Sequence, residues 1–465
     1  MRIWLAMLLL ALAVSAGLAL TAQEAREGFV SRFDGKSLAG WQVAGNPEGF
    51  RVVEGCLHSD GGKGGEWIHT TRQYGNFVLR LDWMLSKTGN SGVFIRQGGE
   101  RPGCEVQLLA PWTPWRDDLH CTGSLYGHVP ANPRPDERTL RWRTLEVTAA
   151  YQRITVKIDG KQCAQADYDQ VPSMQELARA GFVGMQDSHT GPGEWVRFRN
   201  IRIKDLDADP GFLCQGLSEP GPATRRLAYE AVLRLGPPMV GPLLELAGKG
   251  TAEARQAAEQ ALERMAAAAT RPGAEGERKA VVRALAAGAA SNGELVARLL
   301  GLVVMPESPP DPGLRALERL LAAGGRTGIA ALQAAGRIPG AGMTQVLLAA
   351  LGQAREADQP ALLLALGARR DEAAFPALAQ RAQKGAGEVQ LAAIRALGLL
   401  GSARAVPVLR EIGLGSQGAR REKAVEALIT LLDSRGLEPR AREQALAIAR
   451  LLAVTPSQKR AVGAE

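Results

Sequence analysis

The chain has 465 residues, more than one ordinary hydrophobic core accommodates, so its length predicts two or more domains. Its composition is that of a globular protein, which excludes the collagen-like and disordered classes. The formal net charge is +8 at pH 7, and the basic residues are interspersed with acidic ones. Without a basic run that could follow a phosphate backbone, we expect no nucleic-acid partner.

Residues 1–22 are predicted to be a signal peptide. Arg2 precedes an apolar run from Ile3 to Leu20, and small residues stand near the end of that run. A short basic segment, an apolar segment and a small-residue cleavage position are typical of a secretory signal. Because the run is nearly long enough to span a bilayer, an uncleaved membrane anchor is the alternative. Either interpretation places the protein in the periplasm or outside the cell.

The five cysteines are too few for a disulfide scaffold, and an odd number leaves at least one thiol unpaired within the chain. Cys104 and Cys121 flank the same loop and could pair in an oxidising compartment. The alternative is that they are small buried hydrophobic residues.

Residues 28–206 are predicted to form an antiparallel β-sandwich with two sheets. Short strand-like runs recur in this region with turn signals between them, and one helical stretch interrupts the series. The run from Phe77 to Leu85 alternates apolar and polar residues with period two. Such alternation is typical of a strand with one face in a core.

Residues 207–219 are predicted to be a linker, and residues 220–454 to be HEAT-like helical repeats. After the linker the chain is rich in alanine and leucine, with helical periodicity and glycine or proline stops. Leu235 and Leu400 are each followed by glycine and then by a Pro-Leu-Leu-like run. This internal echo predicts stacked helix pairs that form a solenoid, with a curved surface for a possible protein partner. A generic helical bundle is the alternative.

Polar side chains on neighbouring predicted strands suggest a ligand site. If Val106 and Leu108 face the core, Glu105 and Gln107 share the opposite face. Arg96 can lie on that same face, one strand away. A carboxylate, an amide and a guanidinium that project together are more typical of a polar-ligand surface than of a solvated one. The alternative is a cross-strand ion pair of little energetic consequence.

Several short motifs occur in the order typical of one known family. They are FDGKSLAGW at 33–41, GNSGVFIR at 89–96, EVQL at 105–108, GSLYG at 123–127 and VRFRNIRI at 196–203. Together they resemble the 3-keto-disaccharide hydrolase domain family. The resemblance implies a concanavalin-like jelly roll whose concave sheet holds a saccharide. It also implies cleavage of glycosides already oxidised at C3.

The chemistry of such a substrate defines which groups are needed. A ketone at C3 acidifies the C2 proton, so the glycosidic oxygen on C1 can leave by elimination, and water can then add. These steps need a base near C2, a group that stabilises the enolate oxygen, and an acid for the leaving oxygen. We predict Glu105 as the base or acid, Arg96 as the oxyanion partner and Gln107 as the group that orients a hydroxyl. The prediction requires Glu105 and Arg96 to face one shared hollow.

Three residues near the end of the domain are further candidates. His189 could serve as the acid, because an imidazole titrates near neutral pH, or it could be a solvated loop residue. Asp187 is the neighbouring alternative, and Gln186 is a candidate for binding the substrate.

The loop after the Glu-Val-Gln strand adds aromatic candidates. Trp112 and Trp115 could stack on sugar faces or only fix the loop to the sandwich, and Tyr126 is another candidate for binding the substrate. The same loop holds three possible cation ligands, Asp117, Asp118 and His120. Because clustered acids are more often solvated, we expect no metal, and we expect no cofactor.

The sequence therefore predicts an exported enzyme that cleaves 3-keto-glycosides on a jelly-roll domain, followed by a helical scaffold. The alternative is a non-catalytic carbohydrate-binding module on the same scaffold. A third interpretation assigns the function to the solenoid, as an assembly protein.

Overall fold

The computed structural model describes residues 20–61, 65–188, 191, 193–303, 312–434 and 436–463. The chain divides into two compact units, one ending at Leu235 and the other beginning at Gly236. Within the described ranges, no helix combines the length and the apolar character that crossing a membrane requires. The predicted signal peptide lies outside these ranges except for its last three residues.

The first unit contains two antiparallel sheets. Their strands are β1 (Phe29–Ser31), β2 (Trp41–Gly45), β3 (Arg51–Val53), β4 (Cys56–Asp60), β5 (Gly65–Tyr74), β6 (Phe77–Leu85), β7 (Asn90–Gln97), β8 (Cys104–Leu109), β9 (Arg143–Ala150), β10 (Arg153–Ile158), β11 (Lys161–Asp167), β12 (Gly181–Gln186) and β13 (Trp195–Asp205). The larger sheet has the order β11-β10-β9-β6-β13-β4-β3, with β1 paired to β13. The smaller sheet has the order β2-β5-β12-β7-β8. The predicted two-sheet sandwich is confirmed.

The hydrophobic core lies between the two sheets. In β6, Phe77, Leu79 and Leu81 are fully buried, whereas the residues between them are partly exposed. This is the period-two pattern of a strand with one face in a core. The smaller sheet contributes to the same core the residues Ile68, Val93, Ile95, Val106, Leu108, Val183 and Met185. Apart from Arg96, which is fully buried, the residues that alternate with them face away from the core.

Three helices belong to the first unit: α1 (Ala22–Arg26), α2 (Pro210–Ser218) and α3 (Pro222–Leu235). On α2, the ring of Phe212 stacks on Tyr151, with centroids 4.7 Å apart and 6° between the ring planes. The Tyr151 hydroxyl donates a hydrogen bond to the Phe212 carbonyl over 3.2 Å. Residues 207–219, predicted to be a linker, therefore contain a helix that packs on the sandwich.

The second unit is helical. Its helices are α4 (Val240–Lys249), α5 (Ala252–Ala269), α6 (Glu275–Ala287), α7 (Gly293–Val303), α8 (Pro312–Ala323), α9 (Gly325–Arg337), α10 (Ala341–Gln353), α11 (Gln359–Ala368), α12 (Phe375–Lys384), α13 (Gly387–Leu400), α14 (Ala405–Leu414), α15 (Ala419–Leu432), α16 (Pro439–Leu452) and α17 (Pro456–Ala461). The helices α5, α7, α9, α11, α13 and α15 form one layer, in which each packs on the next. A second layer consists of α4, α6, α8 and α10 and then α12, α14 and α16, and between these two groups α10 contacts the turn Glu372–Ala374 that precedes α12. This stacking is the arrangement expected of helical repeats.

Candidate functional site

The candidate site lies on the outward surface of the smaller sheet, which we call the open face. Its residues are Trp67 and His69 of β5, Asn90, Gly92 and Phe94 of β7, Glu105 and Gln107 of β8, and Phe182, Gly184 and Gln186 of β12. Each alternates with residues of the core. As predicted, Glu105 and Gln107 lie on the face opposite to Val106 and Leu108, which are fully buried.

Glu105 occupies space that only a glycine leaves on the neighbouring strand. Its register partner on β7 is Phe94, whereas Gly92 pairs with Gln107. An ideal Cβ placed on Gly92 would lie 1.9 Å from Oε1 of Glu105. The carboxyl group therefore leans over Gly92, one step along the sheet from its own register position.

Burial raises the pKa of Glu105 to about 7. Desolvation is the cause, and among the described residues no cation opposes it. Near neutral pH both protonation states of the carboxyl are therefore populated. This is the condition that suits proton transfer by a general acid or base.

Amide side chains lie beside this carboxyl. Gln107 is buried, and its Nε2 donates to Asn90 Oδ1 over 2.7 Å and to the Ser91 carbonyl over 3.4 Å. Gln186 lies one strand further, and its Oε1 is buried without a hydrogen-bond partner among the described residues. A buried amide oxygen without a partner is costly, so Gln186 is a group that a polar ligand would satisfy.

Four aromatic side chains on the open face had no predicted role. The ring centroids of Phe182 and His69 are 4.7 Å apart, those of His69 and Trp67 are 4.5 Å apart, and those of Trp67 and Phe94 are 5.6 Å apart. The sequence contains their signal, because each alternates with a core residue such as Ile68.

Two glycines separate the open face into two halves. An ideal Cβ on Gly184 would lie 2.5 Å from Cε3 of Trp67, so this ring leans over Gly184 in the direction opposite to the lean of Glu105. The polar half consists of the carboxyl of Glu105 with Asn90, Gln107 and Gln186. The aromatic half consists of the rings of Trp67, His69, Phe94 and Phe182.

Arg96 does not lie on the open face, and the predicted hollow shared with Glu105 is wrong. Its side chain is fully buried. Nε donates to the Gly75 carbonyl over 2.8 Å, and Nη1 donates to the Tyr151 carbonyl over 3.2 Å. The guanidinium lies 5.5 Å from the ring centroid of Tyr168. Arg96 therefore holds turns of the sandwich together and is not an oxyanion partner on this face.

A β-bulge explains why alternation failed at Arg96. Between β7 and β12 the register shifts, so that Ile95 and Arg96 both lie opposite Val183. Arg96 has a φ of 56°, in the left-handed region that non-glycine residues rarely adopt. A bulge adds one residue to one strand and reverses the facing of the residues beyond it. The extra residue turns the Arg96 side chain into the sandwich.

The remaining predicted residues occupy several positions. The Tyr126 backbone N–H donates to the Glu105 carbonyl over 2.9 Å, which places Tyr126 beside Glu105 at the sheet edge. Asp187 directly follows β12 and is buried. Trp112 and Trp115 are 51% and 50% exposed in the loop after β8 and belong to neither half. His189 lies outside the described residues.

Within the described ranges, no three His, Cys, Asp or Glu side chains lie together as a metal site. Two of the possible cation ligands in the loop pair with each other, since His120 Nδ1 lies 2.7 Å from Asp117 Oδ1. The five cysteines are free thiols, so Cys104 and Cys121 do not form the disulfide that the sequence allowed.

The fold and the site define a jelly-roll sandwich with a carboxyl-bearing open face, followed by helical repeats. Residues 28–204 match the family model described as a 3-keto-alpha-glucoside-1,2-lyase-like domain. Residues 344–429 match HEAT repeats. Both resemblances predicted from the sequence are therefore confirmed.

Similar proteins include a curated relative and solved structures. A 3-keto-disaccharide hydrolase from Bacteroides thetaiotaomicron is 26% identical over 235 residues, which cover 39% of this chain and 79% of the relative. A putative glycosyl hydrolase from Parabacteroides distasonis is 24% identical, covering 40% of this chain and 98% of its own, with a TM-score of 0.35. A beta-glucanase from Bacillus licheniformis is 11% identical, covering 38% and 96%, with a TM-score of 0.26.

Proposed function

We propose that the first unit cleaves 3-keto-glycosides on its open face, with Glu105 as the proton-transfer group. The observation that carries the proposal is the Glu105 carboxyl itself, which leans over Gly92, has no cation beside it among the described residues and has a pKa raised to about 7 by burial. The match of residues 28–204 to a 3-keto-alpha-glucoside-1,2-lyase-like domain supports the choice of substrate.

The reaction proceeds in two balanced steps. A base removes the proton from C2, the C1–O1 bond breaks with its electron pair moving to O1, and the leaving oxygen takes a proton from the protonated base or from water. The product of this elimination is an unsaturated 3-keto sugar with a double bond between C1 and C2. Water then adds its hydroxyl to C1 and its proton to C2, so the net change is hydrolysis of the glycoside.

We assign the removal of the C2 proton to Glu105. Its carboxylate form is populated near neutral pH because its pKa is about 7. A carboxylate in a desolvated site is a stronger base than one in water, since burial destabilises the charged form. The amide of Gln107 provides a polar contact for a sugar hydroxyl.

The enolate oxygen needs a donor other than Arg96, which lies inside the sandwich. Gln186 is our candidate, because its side-chain amide has a buried end without a partner among the described residues. A half-turn about χ3 exchanges the amide oxygen and nitrogen, so the same group can offer an N–H. A donor aimed at developing charge in a desolvated site stabilises the transition state.

The test is turnover of a 3-keto-disaccharide by the full chain and by Glu105→Gln. Loss of a positioned acid or base costs roughly 10²- to 10⁴-fold, so we expect the variant to lose at least about 100-fold in kcat. Glu146→Gln, on the larger sheet, is the matched control and should retain turnover within about twofold. Full turnover by Glu105→Gln would rule out the assignment.

A carbohydrate-binding module without activity is the second candidate, and the aromatic half favours it. Aromatic rings on an outward face can bind saccharides by stacking alone. Calorimetry with an unoxidised disaccharide and with its 3-keto form separates the two proposals. Binding of both sugars without release of product from either would support the module and contradict the enzyme.

We infer that the protein is exported and that its helical unit binds a protein partner. The basic residue Arg2 and the apolar run to Leu20 support export. Stacked repeats present an extended surface, which supports a partner. N-terminal sequencing of the periplasmic protein should begin near Ala22, and an intact N-terminus in the membrane would indicate an anchor. Cross-linking should place partner contacts on the helical unit, and cross-links confined to the sandwich would contradict the second inference.

A further inference from the structure

The aromatic half is unusual because its rings do not contribute to the core. Trp67, Phe94 and Phe182 are partly exposed on the open face, and His69 is 9% exposed between two of them. Aromatic side chains usually lie in a core or at an interface, because their large apolar area gains most when it is buried. Rings that remain accessible beside the Glu105 carboxyl suit the apolar face of a ligand ring.

The aromatic half extends over three adjacent strands, β5, β12 and β7. The four rings follow one another with centroid separations of 4.7, 4.5 and 5.6 Å. The reacting sugar is a single pyranose ring, and its reacting atoms must lie at Glu105, in the polar half. The aromatic half is therefore available to whatever is attached through the glycosidic oxygen.

His69 adds one polar atom to the aromatic half. Its Nδ1 lies 2.9 Å from the Thr70 carbonyl, which can only accept, so Nδ1 carries the proton. In the neutral ring Nε2 is then the acceptor. An acceptor within an aromatic surface suits a ring that carries hydroxyl groups at its edge. It therefore favours a second sugar over a purely aromatic group.

We propose that the aromatic half binds the leaving sugar of a disaccharide, while the 3-keto sugar lies over the polar half. This inference rests on the proposed function and extends it to the leaving group. Glu105 lies at the border of the two halves, where the bond to be broken must be. The amides bind the hydroxyls of the reacting ring, and the apolar face of the second ring covers Trp67.

The experiment compares substrates that differ only in the leaving group. The 3-keto derivatives of a methyl glucoside, a phenyl glucoside and a glucose disaccharide are assayed with the full chain. We expect the disaccharide to exceed the methyl glucoside at least about tenfold in kcat/KM, mainly through KM, because stacking on several rings adds binding energy. Equal values for the two substrates would overturn the proposal.

Variants then locate this preference. Trp67→Ala and Phe182→Ala should reduce the disaccharide advantage to about twofold or less, because they should lower kcat/KM more for the disaccharide than for the methyl glucoside. His69→Phe keeps a ring and removes Nε2, so it should lower kcat/KM more for the disaccharide than for the phenyl glucoside. Trp195→Ala is the matched control, since Trp195 stacks near His58 on the larger sheet with centroids 6.2 Å apart.

The possible outcomes are distinct. Equal losses on methyl glucoside and disaccharide in Trp67→Ala would mean that the rings hold the reacting sugar, which would overturn the proposal. A phenyl glucoside as good as the disaccharide, with no effect of His69→Phe, would overturn the assignment to a sugar. Glu105→Gln with full turnover would instead contradict the proposed function, and a disaccharide advantage that persists there would still support the aromatic half.

Discussion

The outward faces of the two sheets place carboxylates in opposite surroundings. On the larger sheet, Glu146 of β9 lies between two cations on the adjacent strands, with Arg80 Nε at 2.7 Å and Lys157 Nζ at 2.9 Å. On the smaller sheet, Glu105 of β8 has no cation beside it among the described residues. Both residues alternate with core residues in the same way. The fact that a carboxylate lies on the outward face of a sheet therefore does not by itself distinguish a ligand site from a solvated surface.

The pKa values of these two carboxyls are shifted in opposite directions by their surroundings. Burial alone would raise the pKa of Glu146, but hydrogen bonds from Lys157 and Arg80 bring it below its ordinary value. Burial raises the pKa of Glu105 to about 7 without opposition. A carboxyl that is desolvated and left without a counter-ion contributes nothing to folding that a neutral side chain would not, so its position is better explained by function.

The largest expected effect concerns Arg96, whose side chain is buried and has a structural role. Arg96→Met removes hydrogen bonds from the Gly75 and Tyr151 carbonyls and leaves them without these donors. We expect a loss of about 3 to 4 kcal/mol in the free energy of unfolding, measured by urea denaturation. Arg153→Met, whose exposed side chain pairs with Asp167 at 2.9 Å, should cost about 1 kcal/mol or less.

Activity of Arg96→Met separates structure from catalysis. The fraction that remains folded should turn over the 3-keto-disaccharide within about threefold of wild type, because Arg96 bonds to Gly75, Tyr151 and Asn76, which lie away from the open face. A stable variant without activity would contradict the structural assignment.

Arg96 also shows where sequence reasoning stopped. Period two correctly placed Glu105 and Gln107 opposite the core, because β8 is regular over these residues. The bulge at Arg96 left no signal, since no glycine marks its left-handed φ of 56°. It arises from pairing with β12, whose sequence lies far along the chain.

The aromatic half was accessible to the same reasoning but was not identified. Trp67 and His69 alternate with the core residue Ile68, and Phe94 alternates with Val93. The lean of Glu105 and Trp67 over two glycines depends on register between strands, which one sequence does not specify. The motifs of the β-region and the repeat echo did predict both folds, because they recur at fixed spacing and order.

The next largest effect is the pH dependence that Glu105 gives to stability. Its folded pKa of about 7 lies above the unfolded value of 4.5, so its favourable contribution is complete below pH 4.5 and is lost as the pH rises through 7. The loss should reach about 3 kcal/mol relative to Glu105→Gln. Urea unfolding of both proteins at pH 4, 6 and 8 measures it, and parallel curves would mean that the carboxyl is solvated.

A smaller effect is expected from Gly92→Ala. The new methyl carbon would lie 1.9 Å from Oε1 of Glu105, which is too close, so this flexible carboxyl would move outward into water. We expect kcat to fall about 10- to 100-fold, because a displaced acid or base loses its alignment. At pH 4, where the carboxyl is mostly protonated, stability should change by less than about 0.5 kcal/mol. Gly241→Ala on α4, where a Cβ meets open space, is the control. Unchanged turnover in Gly92→Ala would show that the position of the carboxyl over Gly92 is not required.

The smallest expected effect is that of Glu146→Gln, and its pH dependence has the opposite sign. Because the folded pKa of Glu146 is lowered, its contribution is present above the unfolded pKa and is lost as the pH falls through the folded pKa. At pH 7 the substitution should cost about 1 kcal/mol or less, and at low pH nothing. Urea unfolding should therefore give slopes of opposite sign for the two carboxyl substitutions. Slopes of the same sign would mean that the open face solvates its carboxyl as the larger sheet does, and the basis for a ligand site there would be lost.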